Sequence, residues 1–380
     1  MAKELLVVGA GTGGLMLSNQ VARQLAREIA RGEVRVTLLG DRDEYLYQPG
    51  LLYIPFGRVQ LQDLIRPVRD LLVPGVTFLH DRAERIDPET RTVTTRGGRR
   101  LTYDYLVLAT GSHVDVAQVP GLAEGGHWFY TVDGALRLRE TLARFSGGRV
   151  VIAAGLPHKC PVAPLEFTFL LDEWTRERGI RDKTEIVYAF PLGRAHSIES
   201  VADWAAAEFE KRGIRLETFF NLESVDPVKQ EVTSLEGTTL GYDLLVVIPP
   251  HRGDTLARDS GLTGGDTWIP TDRHTLQVGP YDNIFAIGDA TGLPVSKAGS
   301  VAHFQAEVLA ANLVSLLTGG SPSHRYNGKA FCFIETGLDR ATYITFDYTH
   351  PPQVTPPTRW VHLLKQAYNR IHWLNLKAVL

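Results

Sequence analysis

The chain has 380 residues, 44% hydrophobic and 22% charged, with two cysteines and a formal net charge of −3. That length exceeds one ordinary core, so two or three domains are expected, and the charge gives no basis for a nucleic-acid partner. Cys160 and Cys332 are too few for a disulfide framework; in a reducing compartment such a pair is either buried and inert or catalytic, and composition alone favours the first.

Met1-Ala2-Lys3-Glu4 leads straight into an apolar run with no secretory signal, and no stretch approaches 18 uncharged apolar residues, so a cytosolic location is expected. LLVVGAGTGG, Leu5 to Gly14, reads as a buried strand followed by Gly9, Gly11 and Gly14 at the G-x-G-x-x-G spacing. The first glycine allows the tight turn, the second lets backbone approach a pyrophosphate, and the third lets the next helix pack on the strand. A helical pattern from Leu15 to Ile29 and a strand over Val34 to Leu39 complete a βαβ unit. Gly40 stands where an acid would hold ribose hydroxyls, and Asp41 follows it; Asp41 is either that ribose contact or the start of a turn. DEYLYQPGLLYIPFG, aromatic and Pro-rich, is either the lining of a ring-binding cleft or an ordered loop.

The stretch from Val76 to Arg100 reads as a small β-meander, and YDYLVLATGS as a buried strand. Residues 85–111 and 224–250 align without gaps, sharing Asp-Pro, Val-Thr, Gly, Leu, Tyr-Asp and Leu-Val. Such an internal repeat implies two copies of one α/β domain type. The second copy opens with the strand RVVIAAG, Arg149 to Gly155, but Ala154, Leu156 and Lys159 stand where the first copy has its glycines. Leu156 carries a side chain where a pyrophosphate needs bare backbone, and Pro157 lacks an N–H. The second domain therefore has the build of a nicotinamide site without its phosphate turn.

Cys160 follows that turn, flanked by His158 and Lys159, and neighbouring cations lower a thiol's pKa. EFTFLLDEWTRERG reads as an amphipathic helix, TEIVYAF as a strand and ADWAAAEFEKRG as a further helix. His196, in the loop between, is either a proton carrier or a surface histidine. NIFAIGDAT, Asn283 to Thr291, is a short strand ending in Gly288-Asp289; the carboxylate there either accepts from a sugar-like hydroxyl or caps a helix. Lys297, Gly299 and Ser300 precede the helix VAHFQAEVLAANLVSLL, whose N-terminus suits negative charge on a reduced ring. From Tyr348 to Leu380 there is no Asp or Glu, while Arg359, Lys365, Arg370 and Lys377 are present. Trp360, Leu364, Ala367, Ile371 and Leu374 recur there at helical spacing. The tail is either a basic amphipathic helix for a membrane interface or a helix packed on the protein's own core.

GAGTGG, ATG (Ala109 to Gly111), KCPVAP around Cys160, IGDAT, and Cys332 within KAFCFIETG together resemble the flavin-dependent sulfide:quinone oxidoreductases, over essentially the whole chain. The resemblance implies two Rossmann-like domains: a discontinuous FAD-binding domain over 1–111 and 251–319, and a second domain over 112–250 without a working NAD(P) glycine motif. Residues 320–380 would form a C-terminal region for quinone and membrane. It implies FAD contacts at Gly9, Gly11, Gly14, Asp41, Thr110, Gly111, Gly288, Asp289, Lys297 and Gly299. Cys160 and Cys332 would form a redox disulfide, with Glu166 near the active cysteine. Cys332 is expected to face the flavin, and His196 is the candidate proton carrier. Hydrogen sulfide would be the donor, and a membrane quinone would arrive near Phe331, Phe333 and Phe346. No metal is implied; a homo-oligomer on the inner face of the cell membrane is compatible. Many members carry a third cysteine after ATG, and residues 112–135 here contain none.

Three other readings share parts of this pattern. A type II NADH:quinone oxidoreductase needs a working second glycine turn. A flavocytochrome c-like sulfide dehydrogenase uses the cysteine pair but carries an export signal. A flavoprotein fold kept only as a binding module leaves the second cysteine without a place.

Overall fold

The computed structural model describes residues 2–379. The first part of the chain forms β1 (Lys3–Val8), α1 (Thr12–Gln24), β2 (Val34–Gly40), β3 (Val76–His80) and β4 (Tyr105–Leu108). Next come α2 (Val132–Arg144), β5 (Gly148–Ala154), α3 (Ala163–Glu177), β6 (Thr184–Ala189), α4 (Glu199–Arg212), β7 (Arg215–Glu217) and β8 (Leu244–Ile248). The chain then returns through β9 (Ile284–Ala286) and α5 (Gly299–Leu317) to a hairpin, β10 (Ala330–Glu335) and β11 (Ala341–Phe346), and ends in α6 (Arg359–Leu376).

Two parallel sheets organise these elements, in the orders β9-β4-β1-β2-β3 and β7-β6-β5-β8. Leu5 to Val8, Val150 to Ala154 and the whole of β8 are buried, as unbroken apolar runs covered on both faces of a parallel sheet should be. Val76–His80 is not part of a meander: it pairs in parallel with β2 as the edge of the first sheet. The helix expected over Leu15 to Ile29 starts earlier, at Thr12, and breaks at Leu25 before a separate turn over Ala26–Ala30.

The internal repeat has a concrete origin. Strands Ala83–Asp87, Thr92–Thr95 and Arg100–Thr102 form an antiparallel sheet that feeds β4. Leu222–Asp226, Glu231–Ser234 and Thr239–Gly241 do the same for β8. In both copies the Asp of Asp-Pro accepts from the backbone N–H groups two and three residues on, at 3.0–3.1 Å. Arg91 and Gln230 then take matching left-handed conformations, φ 50° and 56°. An Asx turn closed by Asp-Pro explains why those residues recur.

The two chain crossings between the sheets pair with one another, Ser112–Val114 running antiparallel to His251–Gly253. α5 is apolar enough to cross a bilayer by composition, but it packs on α1 as a core helix. α6 is the reverse of an ordinary surface helix. Lys365, His372 and Asn375 are buried, while Trp360, Leu363 and Leu364 are 77%, 55% and 59% exposed. Its inward polar face is held by Tyr47 Oη donating to Asn369 Oδ1 (2.6 Å), Tyr45 Oη against His372 Nε2 (2.7 Å) and Asn19 Nδ2 donating to the Leu376 carbonyl (2.6 Å).

Candidate active site

The carboxyl ends of β1, β4 and β9 lie side by side, and the glycine turns leave from them. Gly9, at φ +112°, passes beneath the end of β4, where a Cβ would collide with the Ala109 carbonyl. At Gly14 a Cβ would collide with the Gly9 carbonyl, so α1 seats directly on the turn. In front of Gly11 nothing lies within 4 Å. Gly11 also caps α1 without a side-chain partner, and the first turn carries no acid. Uncapped N–H groups therefore face open space, a cradle that fits a pyrophosphate. Gly40 is needed for the same close packing, since a Cβ would lie 2.8 Å from that of Ala10; Asp41 follows it on the exposed rim.

Thr110 and Gly111, after β4, and Gly288 and Asp289, after β9, border the same edge. Gly111 and Gly299 likewise have nothing within 4 Å, and Gly299 opens α5 with no acid in its first turn. Ser112 Oγ reaches Asp289 Oδ2 at 3.5 Å. Lys297 Nζ donates to the Asp289 and Thr291 carbonyls (3.1 and 2.6 Å) and lies 3.8 Å over the Trp268 ring. Burial pulls its pKa down to about 8.

Cys160 is docked on this rim from the other sheet. It takes a left-handed conformation, φ 53°, which costs a residue with a Cβ roughly 1–3 kcal/mol. Its N–H donates to the Lys297 carbonyl (2.7 Å) and its carbonyl accepts from Ala163 N, which starts α3. Cys332 lies on the inward side of β10. Both are thiols in this structure. Burial first, then the charge of Glu166, pushes Cys160 up to about 12, with Lys365 opposing. Cys332 is raised by burial and then by Cys160 and Glu166. Each group thus feels the others within one low-dielectric site.

The sequence leaves open where the flanking cations point, and neither makes a hydrogen bond to the sulfur. Lys159 Nζ turns to Gln48 Oε1 (2.5 Å) and the Ser112 carbonyl (3.4 Å). The His158 ring donates to the Lys159 carbonyl and is kept neutral by burial. His196 is no surface residue. It is buried, its Nδ1 accepts from Ile198 N (3.0 Å), and burial pulls its pKa to about 4, so it stands as neutral imidazole.

Beneath α6 lies a buried ionic cluster. Lys365 Nζ is hydrogen-bonded to Glu166 Oε1 and stands 3.8 Å from Glu335 Oε1. Glu166 Oε1 also accepts from Glu335 N (2.8 Å), Tyr53 Oη donates to Glu335 Oε1 (2.8 Å), and His362 Nδ1 meets Glu335 Oε2 at 2.9 Å.

A family model for pyridine nucleotide-disulphide oxidoreductases matches residues 3–308. The chain belongs to this family. Among curated relatives, the mitochondrial sulfide:quinone oxidoreductase of Mus musculus is 28% identical over 99% of this chain and 83% of its own length. The sulfide-quinone reductase of Aquifex aeolicus is 25% identical, covering 97% of this chain and 90% of the relative. The X-ray structure of the Aquifex aeolicus sulfide:quinone oxidoreductase superposes with a TM-score of 0.88 at 24% identity, over all of this chain and 92% of that one.

Against this family frame, the glycines, Thr110, Asp289, Lys297, Cys160, Cys332 and Glu166 converge on one region, while Asp41 stands on its rim. Phe331 and Phe333 share one face of the hairpin, their rings edge to face at 4.7 Å, and Phe333 lies 5.8 Å from Tyr368 of α6. Phe346 does not join them. It pairs with Ala330, and residues directly opposite share a face, so it lies on the Cys332 side. Lys365 is a correction: read as part of a basic tail, it is buried against Glu166. Glu335, His362 and Tyr53 were not singled out from the sequence. The signal for α6 was present, because His362, Lys365, Asn369, His372 and Asn375 form a polar stripe opposite the apolar one.

Proposed function

We propose that this chain is a sulfide:quinone oxidoreductase, a reading carried by one observation: Cys160 and Cys332 share a low-dielectric site docked on the dinucleotide cradle. The curated relatives named for that activity support it along nearly the whole chain. The cofactor is FAD. We divide the chain accordingly into an FAD domain (1–111 and 251–319), a second Rossmann-like domain (112–250) and a quinone- and membrane-directed end (320–380).

Gly9, Gly11 and Gly14 would hold the pyrophosphate, Asp41 and Asp289 would meet hydroxyls, and the start of α5 with Lys297 would favour negative charge on the ring. The turn after β5 does not offer a second cradle. Leu156 projects from it, 48% exposed, and Pro250 occupies the space in front of Gly155.

Hydrosulfide attacks a Cys160–Cys332 disulfide; the S–S bond breaks, one sulfur becomes a persulfide and the other leaves as a thiolate. Lys365, the cation that opposes the rise of both thiol pKa values, stabilises that thiolate. Passing the persulfide's outer sulfur to a second hydrosulfide as polysulfide, with loss of one proton and two electrons, re-forms the Cys160–Cys332 disulfide; bound FAD would supply the two-electron transfer from sulfur to quinone. The protein holds the sulfurs, excludes water and presents Phe331 and Phe333 to the quinone ring. The outward apolar face of α6 rests in the interface of a membrane, where the quinone is dissolved. The test is a stopped-flow flavin spectrum on mixing with sulfide and then decylubiquinone. Cys160→Ala and Cys332→Ala should retain bound FAD and lose sulfide bleaching by at least a hundredfold. Bleaching at the wild-type rate in either variant, or by NADH in the wild type, rules the proposal out.

A further inference from the structure

The cations of α6 are not spread evenly. With about 100° between successive residues, Arg359, Arg370 and Lys377 project within about 20° of one another, along one edge of the exposed apolar stripe. At the first of them the charge is cancelled, since Arg359 Nη2 lies 2.7 Å from Asp339 Oδ2. At the far end it is not. The Arg66 guanidinium stands 4.9 Å over the ring of Trp373, three residues after Arg370, and Arg23 Nε donates to the Lys377 carbonyl at 2.8 Å. Arg23, Arg66, Arg370 and Lys377 thus gather around the last turns of the helix. Among the described residues, Arg23 and Arg66 find only backbone carbonyls and an aromatic ring as partners, and the side chains of Arg370 and Lys377 find none. Tyr348 to Leu380 holds no acid to offset them, and Asp63 and Asp70 are matched in number by Arg66 and Arg69. Cations at a helix C-terminus complement its dipole, which would account for Lys377. It does not account for Arg66 and Arg23, which arrive from other elements.

We infer that this end of α6 docks on the headgroups of anionic phospholipids, with its basic edge against the lipid phosphates. The inference rests on the membrane-directed end proposed above and names the lipid that end requires. The apolar stripe meets any bilayer alike. The cations discriminate, because each Lys or Arg near an anionic surface gains an attraction that a neutral one does not offer. A guanidinium binds phosphate oxygens two at a time. Arg66 spends Nη1 on the Gln62 and Ile65 carbonyls, which leaves Nε and Nη2 for such a contact. Trp373 beside it carries the kind of ring that settles at headgroup level.

The test is sedimentation of the FAD-loaded protein with vesicles of phosphatidylcholine alone, or of phosphatidylcholine with about a third phosphatidylglycerol. Wild type should bind the anionic vesicles roughly a hundredfold more tightly at about 0.1 M salt, and about 0.5 M salt should remove most of the difference. Arg370→Gln with Lys377→Gln breaks no described side-chain contact. It should weaken binding to the anionic vesicles roughly thirtyfold and leave binding to phosphatidylcholine unchanged. Arg66→Gln should add to that loss. Arg99→Gln with Arg144→Gln makes the same change in net charge at exposed positions on other elements, and should bind as wild type. Bound FAD and Tm should be the same in all of them. Equal wild-type affinity for the two vesicles overturns the inference and leaves the membrane-directed reading standing. An Arg370 and Lys377 variant that binds like the Arg99 and Arg144 variant overturns it as well. Wild type that sediments with neither vesicle ends both the inference and the membrane-directed reading.

Discussion

At Cys160 two physical effects oppose each other. Lys365 and the N–H of Ala163 favour the thiolate, while burial and Glu166 favour the thiol. At an effective dielectric of about 20, a unit charge 6 Å away contributes about 3 kcal/mol. Removing a thiolate from water costs as much or more, and here burial wins. The reduced thiol pair is therefore unreactive toward external reagents. At a pKa of about 12 the thiolate fraction at pH 7 is about one in 10⁵, against about one in thirty for an ordinary cysteine. Iodoacetamide should accordingly label Cys160 of the reduced protein roughly a thousandfold more slowly than free cysteine at pH 7, read by peptide mass. Glu166→Gln removes a charge that raises the thiol and frees Lys365 to act on it. Labelling should then quicken by at least tenfold, and an unchanged rate would show that burial alone sets the value.

At the scale of an element, α6 inverts the usual arrangement because its polar stripe already has partners. His372, Asn369 and the Leu376 carbonyl are taken by Tyr45, Tyr47 and Asn19, and Lys365 by Glu166. The apolar stripe is left outward, as an interfacial helix needs it. Leu363→Ser with Leu364→Ser removes two exposed leucines and no described hydrogen bond. It should lower binding to liposomes in a sedimentation assay about tenfold or more while shifting Tm by no more than a degree or two. Unchanged sedimentation would rule out α6 as a membrane-binding surface. The same helix shows where sequence is legible. Spacing gives the helix and both stripes, because 3.6-residue periodicity is local. Which stripe turns inward is decided by Tyr45, Tyr47, Asn19 and Glu166, 199 to 357 positions away, and no local pattern carries that. The glycine turn was legible for the opposite reason, since strand, turn and helix all lie within Lys3–Gln24. The direction of His158 and Lys159 is not legible, because adjacency in sequence does not say where a side chain points, and Lys159 turns to Gln48.

Across the whole molecule, neutral histidines are buried at separate places: His196 after β6, His251 in the crossing beside Ser112–Val114, and His372 in α6. Burial pulls their pKa values to about 4, about 3 and about 3. Each lies below the unfolded value near 6.5, so between the two the unfolded chain binds more protons and stability rises with pH. The stability these groups carry is intact above about pH 6.5 and is lost as pH falls toward the folded values. At pH 5 each histidine should have cost roughly 2 kcal/mol relative to pH 7, so the three together weaken the fold by about 6 kcal/mol. The loss spans the second sheet, the crossing and the C-terminal helix, so it should appear as one cooperative destabilisation and not as release of a single element. His196→Asn isolates one contribution, because the Asn Oδ1 can take the Ile198 N–H that Nδ1 accepts and it binds no proton. Urea unfolding at pH 7 and pH 5, with FAD held in constant excess, should show the pH-dependent loss shrinking by about 2 kcal/mol in that variant. A loss of the same size as in wild type would mean that His196 is already solvated and titrates normally in the folded protein.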